Sequence, residues 1–287
     1  MLGISPVPLL REIWTAADDA DLEAFLEAVA EGRLAGALAA LEGTDEETRE
    51  ADGELLDTWA DTLARRAARA SARSAYVGAR LLRELLGEEL GFTGEVEEYH
   101  AARTCCLHQV LALRRGMPIL LSSVWIEVGR RAGIAVDGVG MPRHFLARIG
   151  GDRGVIVDPF SGGTGLTREG CRRLLEKLSG GSIPWSDEFL KASPVDEIVE
   201  RVLANLIDST HREGDGAGTF RVVTFLAALR PELPERRLQK GAAAAAVGAW
   251  DLAASAYGEV LEDFPDTPEA DDAAARMDDL SRRATVH

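Results

Sequence analysis

The sequence predicts an α+β fold: a central helix on a small antiparallel sheet, with a helical region before it and helical hairpins after it. Residues 119–128 are apolar almost all round, as a helix in the middle of a domain must be. Three short β-branched runs follow, at 134–139, 144–149 and 155–157. On either side of this block, apolar residues recur at helical spacing.

From residue 18 to about 43, Leu22, Phe25, Leu26, Val29, Leu34, Leu38 and Leu41 stand three to five apart, which predicts a helix pair broken near Gly32. A second stretch, 55–90, carries Leu56, Trp59, Leu63, Ala67, Ala70, Ser74, Val77, Leu81 and Leu85 on one face. Arg65, Arg66, Arg69, Arg73 and Arg80 then form its solvated side. Gly91-Phe92-Thr93-Gly94 ends the pattern, so residues 1–94 read as a helical N-terminal region.

Residues 95–195 form the expected core. Two helical segments between 101 and 132 are joined at Arg114-Arg115-Gly116-Met117-Pro118, where Gly can end one helix and Pro can open the next. The β-branched runs then make a sheet packed on the second helix, with Gly150-Gly151-Asp152 as the hairpin signal.

Residues 196–287 return to helices, with breaks near Pro194 and at 214–218 and helical segments at 236–247, 250–264 and 268–280. Gly248-Ala249-Trp250-Asp251-Leu252-Ala253, with Ala256-Tyr257 and Phe264-Pro265, places small residues where paired helices approach closely and looks like a tetratricopeptide-type hairpin. Such units are too few for a free-standing solenoid. The tail is therefore expected to dock on the core and bury Val202, Leu203, Leu206, Val223, Leu226 and Trp250. The alanine run 242–246 is a strong helix former and carries no chemistry.

Composition excludes several functions. The 287 residues carry a formal charge of −16, which opposes general nucleic-acid binding. No apolar run reaches the ~18–20 residues that span a bilayer, so no membrane insertion is expected. The start, MLGISPVPLLREIW, lacks a basic segment and a sustained apolar stretch, and the expected location is the cytoplasm. Three cysteines, Cys105, Cys106 and Cys171, do not make a disulfide framework and read as reduced thiols. With no Gly-rich phosphate loop, HExxH or CxxC, no cofactor and no metal are expected. Gly138-x-Gly140 lacks a following helix, and the scattered tryptophans at 14, 59, 125, 185 and 250 fit core packing.

The candidate chemistry lies at His144 and Asp158. A hairpin closed at 150–153 puts Ile149 opposite Gly154 and His144 opposite a residue close to Pro159, so His144 and Asp158 become cross-strand neighbours. An imidazole held by a carboxylate is fixed in one tautomer and becomes a better base. The plainer readings are a structural pair at a sheet edge, or an Asp158 that only caps the Asp-Pro turn.

Arg114-Arg115-Gly116-Met117-Pro118-Ile119, Gly133-Ile134, Met141-Pro142-Arg143-His144-Phe145-Leu146 and Val157-Asp158-Pro159-Phe160 with Gly162-Gly163 together resemble the transglutaminase-like superfamily, in its bacterial SirB-type branch with a tetratricopeptide-like tail. The resemblance implies a papain/transglutaminase-like core. It also implies a nucleophilic cysteine opening the central helix, about fifteen residues before the Gly-Ile pair, where the helix N-terminus stabilises a thiolate. That register falls on Pro118, flanked by Met117, Ile119, Leu120 and Leu121.

Substitute nucleophiles are Ser122 and Ser123, one turn into the helix, although a buried helix serine more often bonds a preceding carbonyl. Cys105 is another, three residues from His108 on one expected helix face, where the two could also form half a metal site. Cys171 reads as structural. The expected function is a transglutaminase-like protein without the family's thiol, binding a peptide or protein ligand through the His144/Asp158 cleft. The alternative is an active acyl-transfer or amide-hydrolase enzyme using a serine, Cys105 or a bound water.

Overall fold

The structure, a computed structural model, describes residues 13–70, 74–98 and 101–284. The chain divides into two compact units, Ala24–Arg212 and the described parts of Met1–Glu23 with Glu213–His287.

In the first helices the apolar spacing translates directly. α1 (Ala16–Ala30) and α2 (Leu34–Glu42) are separated by a turn at Gly32, and Phe25, Leu34, Leu38 and Leu41 are buried. α3 (Glu46–Arg69) is capped by the Asp45 carboxylate, which accepts from the Thr48 N–H at 2.8 Å. The expected single stripe over 55–90 is broken: Ala70 and Ser74 are exposed, and burial resumes at Gly78 and Ala79 of α4 (Ala75–Leu82), which runs into a π-helical stretch, Arg83–Glu89. Arg73 lies outside the described residues.

α5 (Leu107–Leu113) follows a 3-10 turn, Ala102–Cys105, and is ended by Arg114 in the left-handed conformation (φ 60°), not by glycine. The Arg114 guanidinium lies 4.4 Å from the Trp59 ring centre and 5.0 Å from that of Phe92, which offsets the backbone cost of a non-glycine there. Two short strands that the sequence reading missed, β1 (Thr93–Gly94) and β2 (Arg115–Gly116), pair in parallel on either side of this segment.

α6 (Pro118–Arg131) is the central helix, with eleven of its fourteen residues buried. Trp125 is fully enclosed. A five-stranded antiparallel sheet follows, built from β3 (Val136–Val139), β4 (Leu146–Ile149), β5 (Val155–Asp158), β6 (Thr164–Leu166) and β7 (Ala192–Ser193) in the order β6-β5-β4-β3-β7. The three inner strands are those the β-branched runs predict; β6 and β7 are too short and too poor in such residues to announce themselves. α7 (Arg168–Ser179) contributes Cys171 and Leu175 to a core with Val139, Met141, Leu146 and Ile156. α8 (Val195–Glu213) lies, as far as Arg212, in the same unit as the sheet, and buries Ile198, Val199, Val202, Leu203 and Leu206.

The other unit holds α9 (Gly216–Leu229), α10 (Pro234–Ala246), α11 (Trp250–Asp263) and α12 (Pro268–Ala284), around Phe220, Ala244, Ala253, Tyr257, Val260 and Ala273. A β-carbon on Gly241 would stand 2.3 Å from the Tyr257 ring, so α10 and α11 meet as closely as their small residues suggest. Val223 and Leu226 are buried as expected, but Trp250 is 48% exposed. It continues the stripe of Ala253, Tyr257 and Val260 past the point where α10 stops, so its partner helix leaves it half covered. Among the described residues, no helix is long and apolar enough to cross a membrane.

Candidate functional site

The site begins where α6 begins. Met117, in extended conformation, precedes the helix and donates its N–H to the Thr104 carbonyl at 3.1 Å. Pro118 takes the first helical position, where its missing N–H removes no helical bond and its fixed φ suits the turn. This favours helix initiation and leaves a pyrrolidine ring at the helix mouth.

Opposite stands the turn that leads into β4. Arg143 adopts φ 65° and the His144 N–H bonds the Met141 carbonyl at 3.1 Å. Arg201 of α8 clamps this turn by donating to the carbonyls of Met141 (2.8 Å) and His144 (2.9 Å). His144 therefore sits two residues ahead of β4, not within it.

The pairing register also differs by one residue from the expected one. Ile149 faces Val155, and Ala147 faces Val157, because Gly154 is taken up in the loop by an N–H bond to the Gly151 carbonyl. The shift sets Leu146, not Phe145, level with Asp158 and restores His144 to the same side as the carboxylate.

His144 Nε2 lies 2.9 Å from Asp158 Oδ1, with both side chains buried. Asp158 closes β5 and is itself fixed: Oδ1 accepts from the Phe160 N–H at 3.1 Å and Oδ2 from the Ser161 hydroxyl at 2.8 Å. Asp158 thus caps the turn and contacts the imidazole at once. The Phe160 and His144 rings pack in a T-shaped arrangement, their centres 5.8 Å apart. Gly163 (φ 87°) passes so near Trp125 that a β-carbon would fall 2.1 Å from the indole, which ties the Asp158 turn to the centre of α6.

His144 and Pro118 line one cleft of about 190 Å³, shared with Met117, Arg143, Arg201, Asn205 and Asp208. The last three were missed by sequence reasoning. Their spacing of four and three marks one polar face of α8, but nothing local to that helix tells which element it faces.

The candidate nucleophiles are placed elsewhere. Ser123 donates to the Ile119 carbonyl at 2.8 Å, the back-bonding expected of a helix serine, whereas Ser122 departs from that expectation and donates across to the Phe145 carbonyl at 3.3 Å, so both hydroxyls are engaged by backbone carbonyls. Cys105 is buried against Met117, its Sγ 2.8 Å from the Met117 sulfur. Cys105 and His108 do not share a helix face, because Cys106 is extended and α5 starts after it. His108 turns instead to Asp52, with Nδ1 at 3.0 and 3.2 Å from the two carboxylate oxygens. Cys171 lies buried beside the Asp158 charge; burial first, and that charge second, push its thiol up to about 11. Among the described residues no group of three or more His, Cys, Asp or Glu side chains is placed to hold a metal ion.

Beside His108, the Glu42 carboxylate accepts from the backbone N–H groups of Leu107 and His108, the latter at 3.1 Å. Burial pushes Glu42 up to about 7 in spite of these two donors, with the nearby Asp52 charge acting in the same direction.

A family model described as the transglutaminase-like superfamily matches residues 53–204, from α3 through most of α8. The chain belongs to the transglutaminase-like superfamily. Within it, a "UPF0162 protein" of Xylella fastidiosa (strain 9a5c) is 34% identical over 68% of this chain and 71% of the relative, and one of Vibrio cholerae is 25% identical over 70% and 75%. "F-box only protein 21" of Mus musculus is 29% identical over 45% of this chain but only 21% of its own length. No solved structure matches the chain. In this transglutaminase-like chain the His144 imidazole contacts the Asp158 carboxylate, and the cleft that His144 lines has no thiol or hydroxyl side chain in its wall.

Proposed function

We propose that this chain is a transglutaminase-like protein whose cleft binds a peptide or protein without thiol catalysis. The observation that supports it is Pro118, at the first position of α6 and in one cleft with His144, the place where the resemblance implies a cysteine in catalytic members. A proline there gives the His144/Asp158 pair no sulfur to deprotonate. Kept in place, the pair orients the cleft wall, and Arg143, Arg201, Asn205 and Asp208 supply polar contacts for one side chain of a ligand. The short share of the F-box relative that matches fits a module reused inside a longer protein. The expected organisation is a helical region over 1–94, the core over 95–195 and a tetratricopeptide-like tail over 196–287, in a cytoplasmic protein.

A second reading rests on the 2.9 Å His144–Asp158 contact: with Nε2 engaged, Nδ1 is left to activate a water for amide or ester hydrolysis. One experiment separates the two. Peptide-array capture by the full chain is compared with capture by Asn205→Trp, which fills the cleft, and the captured peptides are then assayed for cleavage or deamidation. The proposal expects capture that is lost in Asn205→Trp and no turnover. Capture indifferent to that substitution, or turnover abolished by His144→Ala, overturns it.

A further inference from the structure

Met141, Pro142, Arg143 and His144 form a tight turn, closed by the His144 N–H on the Met141 carbonyl, with proline second and a positive φ third, the pattern of a type II turn. The third position of such a turn favours glycine, which adopts that φ without strain. Here it is arginine, at φ 65°.

Among the described residues only Arg114 and Arg143 combine a side chain with a positive φ. Arg114 is held over the rings of Trp59 and Phe92, whereas Arg143 is exposed and makes no hydrogen bond, ion pair or ring contact among the described residues. Nor does the turn need its guanidinium, because Arg201 fixes it by bonding the Met141 and His144 carbonyls at 2.8 and 2.9 Å. The strain at Arg143 is thus offset by no contact among the described residues, and strain of this kind clusters where a ligand is held.

Arg143 lines the cleft beside His144, and the other arginine and the carboxylate there are engaged: Arg201 by the two carbonyls, Asp208 by Arg212 at 2.8 Å. A single unpaired guanidinium matches one carboxylate through two parallel N–H bonds, whereas phosphate sites gather several cations. We infer that Arg143 is the specificity-determining residue of the His144 cleft and selects a peptide that presents a carboxylate, from an acidic side chain or a free C-terminus. This rests on the peptide-binding reading of that cleft and deepens it. The net charge of −16 repels acidic ligands at range, so their selection is left to this local cation.

The test is a titration of the full chain, followed by amide chemical shifts, with acetyl-Ala-Glu-Ala-amide, its Gln counterpart, and N-acetylated tri-alanine with a free or an amidated C-terminus. The Glu peptide or the free-carboxylate peptide should bind at least about tenfold tighter than its neutral counterpart, with shifts at residues 143–145 and 201–208. Whichever pair shows the gap identifies the source of the carboxylate. Arg143→Gly should erase the gap and melt within about 3 °C of the parent, since relief of the turn offsets the added freedom of the unfolded chain. A gap that survives in Arg143→Gly, or a larger drop in its melting temperature, overturns the inference. Equal affinity for charged and neutral peptides, lost in Asn205→Trp, overturns it while the cleft reading stands. No binding at about 10 mM, or binding indifferent to Asn205→Trp, overturns both.

Discussion

His144 and Asp158 meet at 2.9 Å across the ends of two strands, the imidazole from the turn before β4 and the carboxylate from the last position of β5. Three further bonds immobilise the pair: Arg201 on the His144 carbonyl, and Phe160 and Ser161 on the Asp158 oxygens. The carboxylate therefore holds the strand end as well as the ring.

Asp158→Ala should cost about 3–5 kcal/mol in urea unfolding, because it strands a buried imidazole and two donors together. Asp158→Asn keeps one oxygen for the Phe160 N–H and should cost less, about 1–2 kcal/mol. An alanine variant within about 1 kcal/mol of the parent would show that the pair carries little of the fold.

Thiol reactivity should follow burial. Cys105 and Cys171 are enclosed, and Cys171 is further held protonated with its thiol near 11, whereas Cys106 is only half-buried. Ellman's reagent at pH 8 is expected to titrate Cys106 alone in the folded protein and all three thiols after denaturation. Rapid reaction of Cys105 would reopen the thiol-enzyme reading.

Glu42 should make stability depend on pH. Its carboxyl holds its proton to about 7 in the folded chain, against an ordinary value of 4.5. Between these values the folded state binds more protons than the unfolded one, so stability falls as pH rises through this window. The gain is fully present below pH ~4.5 and gone above ~7, with a ceiling of about 3 kcal/mol. Glu42→Gln should flatten this slope in chemical denaturation at pH 5, 6 and 7.5; an unchanged slope would place the titration elsewhere.

The first unit needs α8. Ile198, Val199, Val202 and Leu203 are fully enclosed, and each side chain contributes roughly 1.5–3 kcal/mol on burial. Their sum rivals the ~5–15 kcal/mol stability of a whole domain. A chain ending at Ser193 should therefore aggregate or melt far below the full protein. An unchanged melting temperature would make α8 dispensable to the sheet.

The elements with a strong period were legible beforehand: the α1–α2 pair, the apolar α6, the three inner strands and the helices from α10 onward. So was the His144/Asp158 pair, although from a register one residue out, because a loop bond at Gly154 leaves no mark on hydropathy. Trp250 misled because a stripe records which face is apolar and not how far the partner helix extends. Arg201 and the Asp52–His108 pair were hidden for a different reason. Each joins positions more than fifty residues apart, and a single sequence carries no signal of such contacts between polar side chains.

Pro118→Cys tests directly the proposal that Pro118 stands where the resemblance implies a nucleophile. A thiol at the first position of α6, beside His144, should have its pKa drawn below the ordinary ~8.5, toward 7 or lower. The decisive measurement is the pH profile of iodoacetamide alkylation of Pro118→Cys, with and without His144→Ala. The expected result is reaction well ahead of Cys106 near neutral pH, slowed when His144 is removed. A new thiol that reacts no faster than Cys106 and ignores His144 would contradict the account.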